Sequence, residues 1–188
     1  MKIFISGGCK NGKSYYAQRL AKQQEASHTL YYIATMKAVD QEDETRIKRH
    51  CKERKGWGFT TLEQYCDIEN ILDVCDIRGS FLVDSLTALL ANEMFGAKAE
   101  KQAGSLNEKV AAGLLKVIGQ INNIVIVSDY IYSDAMLYDP LTEEYRKSLA
   151  SLDQLAAKHC DIVIEVSFAQ PIVHKGTEAV NALFNDIL

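Results

Sequence analysis

Short apolar segments alternate along the chain with longer segments whose apolar residues recur at helical spacing. The apolar segments have the length of β-strands and occupy residues 2–6, 30–34, 80–83, 124–128 and 162–166. They are apolar throughout, which is typical of strands that are covered on both faces. This alternation predicts an α/β fold in which a mostly parallel central sheet carries helices on both faces. Residues 171–176 are predicted as an additional edge strand.

The segments with helical periodicity lie between and after these strands. They are residues 15–25, 85–95, 100–122, 142–160 and 177–188. Residues 130–142 have no clear period and contain several tyrosines. We interpret them as a loop, which either binds a ligand or only covers the surface with partly buried aromatic side chains.

The segment after the first predicted strand matches the pattern G-x-x-x-x-G-K-[ST]. Its residues are Gly7, Gly8, Cys9, Lys10, Asn11, Gly12, Lys13 and Ser14. In this motif the glycines allow a tight loop whose backbone N–H groups point at a phosphate, and a lysine and a hydroxyl complete the site. We therefore predict a nucleotide-binding loop, with Lys13 on the outer phosphates and Ser14 on Mg²⁺. The alternative is an ordinary glycine-rich turn between a strand and a helix.

An acidic residue follows the third predicted strand. Ligands of parallel sheets bind beyond the carboxyl ends of the strands, and there a P-loop protein has the carboxylate that reaches Mg²⁺, directly or through water. Asp84 is the predicted metal-side carboxylate. The alternative is that Asp84 or Ser85 caps the following helix. Asp129, after the fourth strand, is a second candidate that ranks below Asp84.

Residues 40–56 have the charge pattern of a helix, with acids in the first turns, bases in the last turns and Gly56 beyond them. The segment has almost no apolar face, so it is either a solvated helix or one held by ligands and neighbours. Arg46, His50 and Arg54 follow a spacing of four residues, and we expect them on one side.

Nearby guanidinium groups disfavour the imidazolium form, which keeps a histidine neutral and nucleophilic. They also attract phosphates. The hypothesis is that His50 attacks the α-phosphate of a nucleotide and carries the nucleotidyl group as a phosphoramidate. The alternative is a solvated helix face on which His50 has no catalytic role.

The length and composition of the chain limit the classes of protein to which it can belong. A chain of 188 residues suits one domain, residues 1–188. The net charge of −4 argues against a nucleic-acid-binding protein. Five cysteines without a C-x-x-C pair predict reduced thiols. The first apolar segment is too short for a signal peptide, and no segment has the roughly 18 apolar residues of a membrane span, so we expect a soluble cytoplasmic protein.

In combination these motifs resemble the bifunctional adenosylcobinamide kinase/adenosylcobinamide-phosphate guanylyltransferase family of cobalamin biosynthesis. The resemblance covers the first half of the chain, to about Phe95. The motifs that carry it are, in order, the P-loop, Tyr32-Ile33-Ala34-Thr35, Arg46-Ile47 with His50, and Val83-Asp84-Ser85-Leu86-Thr87. Their joint occurrence in this order is far more specific than any one of them.

The resemblance implies a P-loop NTPase fold of the RecA-like class, a homotrimer, GTP or ATP as a substrate with Mg²⁺, and a corrinoid partner. Members phosphorylate the aminopropanol hydroxyl of adenosylcobinamide and then transfer GMP from GTP to that phosphate, which gives adenosylcobinamide-GDP. It also implies that His50 carries the GMP. The residues that it implies around the nucleotide, besides the P-loop, are Ala34, Thr35, Met36, Cys51, Lys52, Glu53, Arg54, Glu63 and Asp84.

The second half departs from the family pattern. Asp129-Tyr130-Ile131-Tyr132 replaces Asn-Glu-Val-Gly after the fourth strand, and Asp153 replaces an expected asparagine. Two other functions therefore stay open. One is a P-loop kinase that acts on another small hydroxylated substrate. The other is a regulatory module that binds GTP without turnover.

Overall fold

The computed structural model describes residues 1–96, 106–184 and 187, and its centre is a sheet of seven strands. The strands are β1 (Lys2–Gly7), β2 (Leu30–Ala34), β3 (Thr60–Glu63), β4 (Ser80–Asp84), β5 (Asn123–Asp129), β6 (Ile162–Ser167) and β7 (Gln170–Lys175). Their order across the sheet is β3-β2-β4-β5-β1-β6-β7. All neighbours pair in parallel except β7, which is antiparallel to β6.

Helices cover both faces of this sheet. They are α1 (Lys13–Gln23), α2 (Gln41–Glu53), α3 (Ile71–Val74), α4 (Leu86–Phe95), α5 (Leu106–Gln120), α6 (Pro140–His159) and α7 (Thr177–Leu183), with a short 3₁₀ helix at Ile68–Asn70. In the ranges that the structure describes, no helix is both long enough and apolar enough to cross a membrane.

Two apolar cores lie on opposite faces of the sheet. Alternate residues of a strand point to opposite faces, so Ile3 and Ile5 belong to one core and Phe4 to the other. Helices α4, α5 and α6 pack on the face of Phe4, whereas α1 packs on the face of Ile3. The predicted α/β architecture, with a mostly parallel sheet between two helical layers, is confirmed.

Several element boundaries differ from the prediction. The edge strand β3 was not predicted because three of its four residues are exposed, so it has no apolar segment. Helix α6 begins at Pro140, earlier than predicted, because the Asp139 side chain accepts hydrogen bonds from the first backbone N–H groups. The first residues of the helix predicted at 100–122, which are residues 100–105, lie outside the described residues. So do residues 185, 186 and 188 of the helix predicted at 177–188.

The parallel strands bring the predicted site segments to one edge of the sheet. Gly7 is the register partner of Asp129, and Ala34 is the partner of Asp84. The P-loop, the segment after β2, Asp84 and Asp129 therefore lie beside one another at the carboxyl ends of the strands, where α/β sheets bind ligands.

Candidate nucleotide-binding and transfer site

The P-loop has the backbone shape that its glycines predict. Gly12 adopts φ 89°, in the left-handed region that favours glycine. At Gly7 a Cβ atom would collide with the carbonyl oxygen of Val166 in β6. The same carbonyl accepts a hydrogen bond from Asn11 Nδ2 at 2.9 Å. The conformation of the loop thus depends both on its own glycines and on its contacts with β6.

The turn between β6 and β7 lies against this loop. Phe168 and Ala169 both have positive φ, at 52° and 58°, and Phe168 is 93% exposed. The Ala169 carbonyl accepts a hydrogen bond from Tyr16 Oη in α1 at 2.9 Å. The last two strands therefore hold both the P-loop and the helix that follows it.

Lys13 lies folded over the P-loop. Its Nζ donates to the Gly8 carbonyl and to Asp129 Oδ1, each at 2.6 Å, and only 6% of its side chain is exposed. Asp129 ranked second as a candidate from the sequence, yet it is the residue that pairs with the P-loop lysine. Its other oxygen, Oδ2, lies 3.9 Å from a guanidinium nitrogen of Arg46.

The carboxylate of Asp84 does not cap α4, because the neighbouring serine caps this helix. Ser85 Oγ accepts a hydrogen bond from the backbone N–H of Ala88 at 3.3 Å, so the alternative that Asp84 caps α4 is wrong. Asp84 Oδ2 accepts a hydrogen bond from Tyr32 Oη at 2.6 Å and lies 3.7 Å from His50 Nδ1.

The P-loop cleft offers the oxygen donors that Mg²⁺ prefers. Ser14 and Asp84 both line a cleft of about 70 Å³ together with Lys13. Within the described residues, no group of three or more His, Cys, Asp or Glu side chains is arranged to hold a metal. Ser14 and Asp84 fit an ion that is bound through one or two protein oxygens plus substrate phosphates, as Mg²⁺ commonly is.

Helix α2 carries His50 to this cleft. Asp40 caps the helix by accepting a hydrogen bond from the backbone N–H of Asp43 at 2.9 Å. Arg46, Arg49 and His50 line the same cleft as residues 10–14 of the P-loop. The predicted polar helix and the predicted phosphate loop therefore face one another.

His50 lies where three cavities meet, and 16% of its side chain is exposed. Burial is the main cause that lowers its pKa, and Arg46 and Arg49 lower it further. Asp84 and Glu53 act in the opposite direction but do not outweigh burial. The predicted preference for the neutral ring is present, although burial contributes more than the arginines do.

Arg54 does not share the side of α2 that carries Arg46 and His50, and this part of the prediction is wrong. Its guanidinium lies over the Tyr32 ring at 4.0 Å, and its Nε donates to Thr61 Oγ1 at 3.3 Å. Arg54 follows the last helical residue, Glu53, so helical spacing no longer sets its direction. Eight residues also rotate a helical position by about 80° past two full turns.

Arg49 takes the place that Arg54 was expected to fill. With Arg46, His50 and Glu53 it follows the spacing i, i+3, i+4 and i+7, which marks one helix face. Spacing by three and four residues, rather than by four alone, would have identified it. This face borders a cavity of about 510 Å³, within the usual size range of ligand sites. Its lining residues are Lys10, Gly12, Ser14, Tyr15, Gln18, Arg49, His50, Glu53 and Trp57.

The other predicted nucleotide-binding residues lie in different surroundings. Met36 lines a cavity of about 160 Å³ with His50 and Asp84. Thr35, next to Ala34, is fully buried; its Oγ1 accepts a hydrogen bond from the Ser85 backbone N–H and donates one to the Ser85 carbonyl. That hydroxyl joins the ends of β2 and β4 and is not directed at a ligand.

The remaining predicted residues lie near the end of α2 or on the sheet edge. Cys51 and Arg54 line a separate cavity of about 540 Å³. Lys52 is exposed, and so is Glu63 on the edge strand, where it accepts a hydrogen bond from Tyr65 Oη at 2.6 Å. Cys9 is exposed at the tip of the P-loop.

Comparisons with known proteins place the chain in a family. The family model described as cobinamide kinase / cobinamide phosphate guanyltransferase (CobU) matches residues 3–173. The bifunctional adenosylcobalamin biosynthesis protein CobP of Pseudomonas aeruginosa is 29% identical over 177 residues, which are 94% of this chain and 98% of that protein. The bifunctional adenosylcobalamin biosynthesis protein CobU of Escherichia coli is 27% identical over 103 residues, 54% of each chain.

Solved structures with a similar fold include a prototypical ATPase from the type III secretion system of pathogenic bacteria. It has a TM-score of 0.49 and 13% identity, and the match covers 88% of this chain and 50% of that one. The family match, by contrast, covers residues 3–173, the range in which the motifs described above lie. The chain belongs to the cobinamide kinase / cobinamide phosphate guanyltransferase family.

Proposed function

We propose that this protein carries out both reactions of its family. It phosphorylates the aminopropanol hydroxyl of adenosylcobinamide, and it then transfers GMP from GTP, through a guanylylated His50, to that phosphate to give adenosylcobinamide-GDP. The observation that carries the proposal is that His50, whose pKa is lowered by burial, lines the same cleft as the phosphate loop.

In the kinase reaction the P-loop holds the nucleotide. The phosphates replace Asp129 and the Gly8 carbonyl as partners of Lys13, whose ammonium then neutralises the outer phosphates. Ser14 and Asp84 would hold Mg²⁺, which would neutralise charge on the phosphates. The corrinoid hydroxyl attacks the γ-phosphorus in line, and the nucleoside diphosphate leaves.

In the transfer reaction the imidazole is the nucleophile. The Nδ1 atom of His50 is the ring nitrogen nearer to Asp84, which leaves Nε2 to attack the α-phosphorus of GTP as pyrophosphate departs. Arg46 and Arg49 line the cleft beside His50 and offset charge on the phosphorus under attack.

The second displacement regenerates His50. A phosphate oxygen of adenosylcobinamide phosphate attacks the same phosphorus, and the bond between phosphorus and Nε2 breaks. Because each displacement is in line, the acceptor phosphate enters from the side that pyrophosphate left, which is the P-loop end of the cleft. One cleft thus serves both reactions.

The nucleotide contacts that the resemblance implies for other residues stay predictions. These residues are Ala34, Thr35, Met36, Cys51, Lys52, Glu53, Arg54 and Glu63.

The test uses GTP labelled at either the α or the γ phosphate. We expect protein-bound α-label that is stable to base and labile to acid, absent from His50→Ala and present in the control His159→Ala, whose histidine is exposed on α6. Label transferred only from the γ position, without an α-labelled protein, would instead indicate a kinase of a small hydroxylated substrate. Tight GTP binding without either product would indicate a regulatory module.

The proposal includes the homotrimer that the resemblance implies and the cytoplasmic location expected from the composition. Light scattering of the purified protein tests the first, because a trimer has three times the 21.0 kDa mass of the chain. Cell fractionation tests the second.

A further inference from the structure

Two carboxylates border the P-loop cleft among the described residues that line it, and they have different partners. Asp84 contacts Tyr32 and His50, on the side of the cleft where α2 lies. Asp129 contacts Lys13 at 2.6 Å. The carboxylate of Asp129 is therefore one hydrogen bond away from the ammonium that holds the outer phosphates of a bound nucleotide.

Nucleotide binding changes the partner of Asp129. Once Lys13 turns to the phosphates, the carboxylate is left beside a highly charged anion. Arg46 Nη2, 3.9 Å from Asp129 Oδ2, offsets part of that charge. A carboxylate in this position is stabilised by a new hydrogen-bond donor, and the hydroxyl of an acceptor is such a donor.

The surroundings of Asp129 leave space for that hydroxyl. Asp129 lines the P-loop cleft and also the cavity of about 160 Å³ between α2, α4 and α6. Tyr145 and Thr87 are other walls of this second cavity. The Asp129 backbone N–H donates to Thr87 Oγ1 at 2.8 Å, which fixes the residue between the two spaces. Asp129 thus borders both the cleft of the P-loop and the cavity open to an acceptor.

We propose that Asp129 is a catalytic residue of the phosphorylation reaction, where it accepts the proton of the acceptor hydroxyl. This inference rests on the kinase half of the proposed function. The acceptor oxygen forms a bond to the γ-phosphorus, the bond between that phosphorus and the β,γ-bridging oxygen breaks, and the nucleoside diphosphate leaves with the bonding electrons. The hydroxyl proton moves to Asp129.

The transfer of GMP does not need this base. The attacking group in its first step is the neutral imidazole, and in its second step it is a phosphate oxygen without a proton to lose. Of the two reactions in this cleft, only the phosphorylation therefore depends on Asp129 as a base. A purely structural role for Asp129, such as holding Lys13 in place, would affect both reactions.

The experiment compares Asp129→Asn with the wild-type enzyme in two assays. The first follows the γ-label from the nucleotide to adenosylcobinamide in a single turnover, and the second follows the α-label from GTP to His50. General bases contribute about 10² to 10⁴ in rate, so we expect the first rate to fall by at least about 100-fold. The second should fall much less. Asp129→Glu, which keeps a carboxylate, should recover part of the first rate.

Asp73→Asn is the matched control, because Asp73 is exposed on α3 and precedes β4, far from the carboxyl ends of the strands. Phosphorylation by Asp129→Asn at the wild-type rate or faster, with tighter GTP binding, would overturn the inference and leave Asp129 as a competitor of the phosphates for Lys13. A parallel loss of both reactions would also overturn it. A wild-type enzyme that phosphorylates no corrinoid would refute the proposed function itself, before any variant is compared.

Discussion

The P-loop and helix α2 face one another across the same cleft but are held in different ways. The P-loop is fixed by backbone geometry, since Gly7 packs against the Val166 carbonyl and Gly12 has a left-handed conformation. Helix α2 buries no residue completely, and side chains attach it to the sheet: Arg54 over Tyr32, and His50 toward Asp84. Substitutions in the loop should therefore change binding, whereas those on α2 should change the chemical step.

The largest effect is expected for Lys13→Ala. This substitution removes the cation that neutralises the outer phosphates and leaves Asp129 unpaired beside them. Hydrogen bonds to charged groups contribute about 1.5 to 3 kcal/mol, so GTP affinity should fall by roughly 10- to 100-fold or more, and kinase activity should be abolished. Titration calorimetry measures the affinity, with Lys116→Ala on the exposed side of α5 as the control. Unchanged GTP binding would refute the role given to the loop.

Gly7→Ala tests whether the loop is shaped by its packing. The new methyl group would collide with the Val166 carbonyl, and overpacking of this kind costs about 1 to 3 kcal/mol of the free energy of unfolding. Gly119→Ala is the matched control, because nothing lies near its Cβ position within α5. That change should stabilise the protein by about 0.4 to 1 kcal/mol. Chemical denaturation measures the free energy of unfolding of both variants. Equal changes in the two variants would contradict the tight packing of Gly7 against Val166.

Arg49→Ala and Arg54→Ala compare an arginine within α2 with the arginine that follows its last residue. Arg49 lines the cleft beside His50, whereas Arg54 lies over Tyr32. We expect Arg49→Ala to slow the guanylylation of His50 by roughly 10-fold. Arg54→Ala should change that rate less and should destabilise the protein by about 0.5 to 1 kcal/mol through the lost contact with Tyr32. Rapid-quench measurement with α-labelled GTP gives the rates, and the reverse order would contradict the assigned positions.

The pH dependence of guanylylation has the smallest expected effect. Only the neutral ring has a free electron pair, so the rate should be constant at and above pH 7 and fall as His50 is protonated. Because burial lowers its pKa, the midpoint should lie below the ordinary value of about 6.5. Arg49 also lowers this pKa, and Arg49→Ala should therefore move the midpoint to higher pH. A midpoint above 6.5 in the wild-type profile would contradict the burial of His50.

Much of the fold could be predicted from the sequence because burial leaves a clear pattern. Strands covered on both faces are continuous apolar segments, and the P-loop has a fixed spacing of glycines. The edge strand β3 has no such pattern because its side chains are mostly exposed. The cap of α4 could not be assigned either, since Asp84 and Ser85 are both good caps and only the geometry distinguishes them.

The site was predictable in its components but not in its pairings. The charge pattern identified α2 and its histidine, but spacing by four residues alone selected Arg54, which lies beyond the end of the helix, instead of Arg49. Pairing between Lys13 and Asp129 joins residues that are 116 positions apart. It follows from the parallel pairing of β1 and β5, which no local motif reveals.

The contact between the P-loop and the hairpin of β6 and β7 has a consequence for protein synthesis. The chain is made from its amino terminus, so the glycine-rich loop leaves the ribosome long before Val166 and Ala169 do. Until the hairpin joins the sheet, the loop lacks the carbonyl that holds Asn11 and the turn that holds Tyr16. A nascent chain that has reached only β5 should therefore not be stabilised by nucleotide during its folding. The capacity to bind nucleotide should be one of the last properties that the growing chain acquires.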